Sequence, residues 1–151
     1  MDLVPGSWRV YADFRATGAD PLTLGTDLTV PGRVAKPAET VPNRTDDVAG
    51  YTVTLEGALL AGQDSELTLS VSRAGDPVMD LQPYLGSYGH LVALREGDLA
   101  YLHVHPHKAS TSGPDIDFTT AVPSEGRYRL FLDFAHAGVA RTAVFTVEVD
   151  R

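Results

Sequence analysis

From residue 48 onward, apolar and polar residues alternate in short runs, and turn residues separate the runs. Tyr51-Thr-Val-Thr-Leu55 alternates strictly, and Glu66-Leu-Thr-Leu-Ser-Val-Ser72 spaces Leu67, Leu69 and Val71 two apart. A period of two lays successive side chains on opposite faces of a strand, so each run predicts a strand with one apolar face. Turn signals lie in residues 57–64, at Ala74-Gly75-Asp76-Pro77 and at Pro123-Ser-Glu-Gly126. Further runs cover residues 89–94, 99–105, 116–122, 128–135 and 139–149, and residues 78–81 read as a short strand or an irregular approach to Pro83. No stretch carries a helical period of ordinary length, and residues 55–60 come nearest to one. About seven short strands, with turn signals roughly every 8–12 residues, predict an all-β fold. The expected architecture is an antiparallel β-sandwich of immunoglobulin-like or cupredoxin-like layout, with an extra N-terminal hairpin.

Residues 88–107 contain four of the five histidines: His90, His103, His105 and His107. Gly97, within Arg95-Glu96-Gly97-Asp98, supplies the positive φ of a tight turn, so the stretch reads as a hairpin. Pairing Leu94 with Leu99 sets Val92 against Tyr101 and His90 against His103. His103 and His105 share a strand face. Directly opposed Cβ atoms lie roughly 4.5–5.5 Å apart, so this register gathers His90, His103 and His105 into one set of imidazoles. Such a set suits a copper or zinc ion. A slip of one residue in the pairing moves His90 to the other face. The plainer reading is an exposed polar strand end that binds nothing.

Other residues are placed around this cluster. His107 follows Pro106, outside the ladder, and reads as a solvated loop histidine, with a fourth ligand as the alternative. His136 sits in the turn Phe134-Ala-His-Ala-Gly138, a position the repeat fills with Ala16, and reaches the cluster only if the sandwich brings that loop to it. Asp80 suits a carboxylate ligand or a partner that orients a histidine. Met79 offers a thioether for Cu(I), although methionine usually fills a core. Tyr101 reads as a cross-strand aromatic, Asp115 and Asp117 as a solvated face, and Asp13 and Asp133 as structural residues bonded to a neighbouring turn.

The ends of the chain match each other. Gly6, Trp8, Arg9, Tyr11, Asp13, Phe14 and Gly18 correspond to Gly126, Tyr128, Arg129, Phe131, Asp133, Phe134 and Gly138. After a gap of one residue, Leu28-Thr29-Val30 aligns with Val147-Glu148-Val149. We read this as an internal repeat in which residues 1–30 form the closing hairpin of a second sandwich unit without that unit's first half. Residues 31–47, with prolines at 31, 37 and 42, read as an extended linker, and residues 48–151 as the sandwich. An isolated hairpin is marginal in water, so residues 1–30 are expected to pack on the chain, on a membrane-bound partner or in a homodimer.

Composition narrows the functions. A net charge of −8 and a pI near 4.9 argue against nucleic acid and anionic membrane surfaces. With no cysteine there is neither a disulfide nor a thiolate site. No apolar run reaches the roughly 18 residues of a membrane span, so direct membrane insertion is not expected. The N-terminus lacks the basic and apolar regions of a signal peptide, so an exported parent implies a processed piece. There is no Gly-x-Ser-x-Gly, no His-Glu-x-x-His, no P-loop and no dinucleotide fingerprint, so the chain reads as non-enzymatic.

The stretch from Asp80 to Pro106, with Gly89-His90 and His103-Val104-His105-Pro106, resembles a little-characterised group of bacterial extracytoplasmic proteins. That group carries a Gly-His…His-Val-His-Pro pattern and is loosely associated with heavy-metal or copper handling. The resemblance covers residues 1–30 and 50–149. It implies tandem β-sandwich units, an extracytoplasmic location and His90, His103 and His105 as the matching histidines. The expected function is therefore non-enzymatic binding of copper or zinc through those three imidazoles. The alternative is a structural or protein-interaction sandwich of a membrane-associated protein with no metal. A third reading, a metal-dependent oxidase or hydrolase, needs an open coordination position and a cleft.

Overall fold

The computed structural model describes residues 3–34, 39–106 and 112–150. The chain forms two compact units, Met1–Glu39 and Thr40–Arg151. All regular structure among the described residues is strand, and every ladder is antiparallel.

The first unit is a hairpin of β1 (Gly6–Arg15) and β2 (Pro21–Val30), paired from Gly6↔Val30 to Arg15↔Pro21. Alternation sorts its residues sharply. One face carries Trp8, Val10, Ala12 and Phe14 opposite Leu28, Thr26, Leu24 and Leu22. The other carries Arg9 paired with Asp27 at 2.9 Å, and Asp13 accepting the Thr23 hydroxyl at 3.0 Å.

The second unit contains β3 (Thr45–Val48), β4 (Tyr51–Glu56), β5 (Asp64–Arg73), β6 (Asp76–Pro77), β7 (Gly89–Arg95), β8 (Tyr101–Pro106), β9 (Asp115–Ala121), β10 (Gly126–His136) and β11 (Val139–Val149). The strands run in the order β11-β10-β7-β8-β9-β5-β4-β3, with β6 attached to β5. The path folds back on itself. Asn43 bridges Thr146, and the Asp46 carboxylate accepts the Val144 N–H at 2.8 Å. These bonds lay the two ends of the path side by side and satisfy backbone groups on the β11 edge that would otherwise be open to pairing. The fold is thus antiparallel and all-β.

The alternating residues fill the space enclosed between the strands. Tyr51, Val53 and Leu55 of β4, Leu67, Leu69 and Val71 of β5, and Ile116 and Phe118 of β9 are all buried. So are Tyr128, Leu130, Leu132 and Phe134 of β10 and Leu91 and Ala93 of β7. Gly89 is held to its size by this core: a Cβ there would meet the Ile116 Cδ1 at 2.9 Å and the Leu132 Cδ1 at 3.2 Å. The glycine of the Gly-His pair is therefore a packing requirement that fixes where His90 begins.

Residues 78–81 take the irregular path towards Pro83 rather than the short strand; the short β6 precedes them, and the Val78 N–H bonds the Val71 carbonyl at 3.0 Å. Two expectations need correction. The strand β3 takes in Thr45–Asp47, the end of the stretch read as linker. The β7–β8 register also differs. Leu94 pairs with Tyr101 and Val92 with His103, two residues away from the expected alignment. The cause is the turn. Asp98 is ion-paired with Arg95 and accepts the Ala100 N–H at 3.1 Å, while Leu99 takes a φ of 55°. The Leu99 N–H reaches back to the Arg95 carbonyl at 3.0 Å, so the loop absorbs two residues that a tight turn would have left in the strand.

The matched ends of the chain share more than composition. Trp8 pairs with Leu28 as Tyr128 pairs with Val147, and the one-residue gap falls in the turn. Asp133 accepts the hydroxyl of its ladder partner Thr142 at 2.5 Å, as Asp13 does from Thr23. Both aspartates bond across the ladder to a threonine, where the sequence reading had them bonding a turn.

Candidate functional site

The candidate centre lies on β7 and its neighbours. Leu91 and Ala93 point into the core, which leaves His90, Val92 and Leu94 on the opposite, half-buried face. On the β10 side His90 pairs with Asp133, Val92 with Phe131 and Leu94 with Arg129. On the β8 side Val92 pairs with His103. Because the register moved by two rather than by one, His90 and His103 keep the same parity in the ladder. They occupy diagonal positions on adjacent strands instead of opposed ones.

The backbone of His105 pairs with Thr119 of β9. The side chains of His103 and His105 lie outside the described residues, as does the whole of His107. Among the described residues, no three His, Cys, Asp or Glu side chains come together as a metal-holding group. The described pair at the centre is His90 with Asp133. Asp133 was not read as part of this site, and local sequence gave no sign of it: only the β7–β10 pairing brings it to the histidine.

His136 belongs to a different arrangement. Its Nδ1 lies 2.7 Å from the Tyr51 hydroxyl and its Nε2 lies 3.0 Å from the Asp80 carboxylate. A carboxylate oxygen accepts, so Nε2–H donates to Asp80, and Nδ1 shares the other hydrogen bond with the Tyr51 hydroxyl. The imidazole is 14% exposed and Asp80 84%, so the chain runs from the core to the surface. The Arg141 guanidinium lies 4.4 Å from the Tyr51 ring centroid and that of Arg73 lies 5.2 Å from it. Gln82 ties the same corner: its side chain accepts the Gly138 N–H at 2.6 Å, and its own N–H bonds the Ala135 carbonyl at 2.8 Å. Both ring nitrogens of His136 are engaged, so it serves as a brace between β4 and the β10–β11 turn. Asp80 does orient a histidine, but the histidine is His136.

The remaining candidates are structural or peripheral. Met79 is 59% exposed and does not fill the core. Asp115 and Asp117 accept the hydroxyls of Ser70 and Thr68 at 2.6 and 2.7 Å, as cross-strand bonds. The Arg95 guanidinium and the Ala100 N–H hold the Asp98 carboxyl well below the usual carboxylate range, at the turn rather than at the centre.

Residues 46–151 match a family model described as a domain of unknown function, DUF8832. The chain belongs to the DUF8832 family. Among solved structures, this DUF8832 chain is similar to the crystal structure of a DUF4426 family protein from Pseudomonas aeruginosa PAO1. The identity is 10% and the TM-score 0.54, over 72% of this chain and 97% of the other. At that identity the likeness speaks for the fold alone. No curated protein matches the sequence at a significant level.

Proposed function

We propose that the DUF8832 unit is a non-enzymatic, extracytoplasmic β-sandwich of immunoglobulin-like or cupredoxin-like layout that binds a copper or zinc ion through His90, His103 and His105. The observation that carries the reading is the β7–β8 register. Pairing of Val92 with His103 makes His90 and His103 diagonal neighbours of equal parity. Cβ atoms at such positions stand about 7–8 Å apart. Two imidazoles meeting one ion at about 2.0–2.1 Å each can span that gap. Asp133, paired with His90 on the other side, supplies a carboxylate that its bond to Thr142 already orients. Neutral imidazoles with a carboxylate or water suit Cu(II) or Zn(II), and the absence of cysteine leaves no softer donor than Met79.

Calorimetric titration of untagged protein with Cu(II) and with Zn(II) tests this. One tight equivalent that His90→Ala weakens at least about tenfold supports it. Absence of binding, or binding indifferent to His90, His103 and His105, overturns it. The second reading, an interaction domain docking a membrane-bound partner, predicts thermal melts that neither ion shifts. A site bound at 100 times Kd would add about 2.7 kcal/mol.

A further inference from the structure

The first unit carries an interaction surface of its own. Six large apolar side chains on one face of β1–β2 range from 37% exposed at Trp8 to 53% at Leu24. Val10, Phe14, Leu22 and Leu28 fall between them, and no charged residue shares the face. In β10–β11 the register-equivalent face, with Tyr128, Leu130, Leu132 and Phe134, is buried in the core. The same pattern of residues is thus built to be covered, because a sheet's apolar face is stable only against another layer.

We infer that the covering layer is the identical face of a second copy of this chain, packed about a two-fold axis. The dimensions fit. The half-exposed side chains present on the order of 500 Å² per hairpin, so two faces meeting bury about 1,000 Å², the lower bound for a specific interface. Shape fits as well. Strongly twisted two-stranded ribbons stacked face to face approach closest at the middle and diverge toward the ends. The middle rows pair Val10 with Thr26 and Ala12 with Leu24, one smaller residue in each, and the end rows pair the bulkier Trp8 with Leu28 and Phe14 with Leu22. A two-fold axis perpendicular to the strands sets the Trp8 end of one hairpin over the Phe14 end of the other.

Trp8 is the single tryptophan, so it reports on this surface directly. The experiment is sedimentation velocity of the full chain across a dilution series, with Trp8 emission read on the same samples. The expected result is a dimer at high concentration that dissociates on dilution, with Trp8 emission moving to longer wavelength along the same curve. Leu24→Lys, which buries an ammonium at the centre of the interface, should weaken association about a hundredfold or more. Thr29→Lys, on the other face, should leave it unchanged. A monomer at every concentration overturns the inference, whether its Trp8 emits as exposed or as covered by some other occupant. A dimer whose Trp8 emission ignores dilution overturns it too, because the contact then lies elsewhere. The wild-type measurement decides the matter even if Leu24→Lys misfolds.

Discussion

At the scale of single residues, three positions carry disproportionate weight. Gly89 admits no side chain, and Gly89→Ala should destabilise the fold by about 1–3 kcal/mol through overpacking against Ile116 and Leu132. Urea unfolding checks this, with the midpoint lowered and the m-value unchanged. Tyr51→Phe removes the hydroxyl that satisfies His136 Nδ1, and should cost about 1–2 kcal/mol by leaving a largely buried ring nitrogen unpaired. The same unfolding series measures it. Asp98 gives a pH signature. Its carboxyl is held below the ordinary range when folded, so its contribution is present above the unfolded value, about 3.9, and fades as pH falls below that. Melts of wild type and Asp98→Asn should therefore differ slightly at neutral pH and converge on acidification. A gap that persisted in strong acid would contradict that account of the turn.

At the scale of elements, strand positions were legible because the period of two survives wherever one face is buried. Residues 51–56, 64–73 and 126–136 show it plainly. Register was less legible. The β7–β8 offset is set by Asp98 bonding Arg95 and Ala100 and by the left-handed Leu99, none of which hydrophobic alternation reports. The parity of His90 and His103 survived only because the loop absorbed an even number of residues. The short β3 hid behind the prolines of the linker stretch, and its pairing with β4 became visible only in three dimensions. The candidate site was legible in part. The histidines announced themselves by clustering, whereas Asp133 and the Tyr51–His136–Asp80 brace are assembled by pairings between distant segments. An element-level prediction follows from the shared cross-strand bonds. Asp133→Ala should weaken metal binding at the β7 face more than it weakens the fold, because its bond to Thr142 lies on the exposed side of the β10–β11 ladder. Parallel titration and melting of that variant separate the two effects.

At the scale of the whole molecule, an acidic all-β unit, its end strands linked by Asn43 and Asp46, shares the chain with a hairpin whose sequence and register repeat that unit's own closing hairpin. On the proposed reading, the β7–β8 ladder would carry the metal-binding imidazoles and the repeated hairpin would supply the contact surface. Metal held by neutral imidazoles is released as they protonate near pH 6.5, so affinity should fall steeply between about pH 7 and pH 5. The most direct measurement is calorimetric titration of untagged protein with Cu(II) or Zn(II) at those two pH values. The account predicts one bound ion per chain at the higher pH and a loss of at least about tenfold in affinity at the lower. A protein that takes up no ion at either pH, or binds one with the same affinity at both, would contradict it.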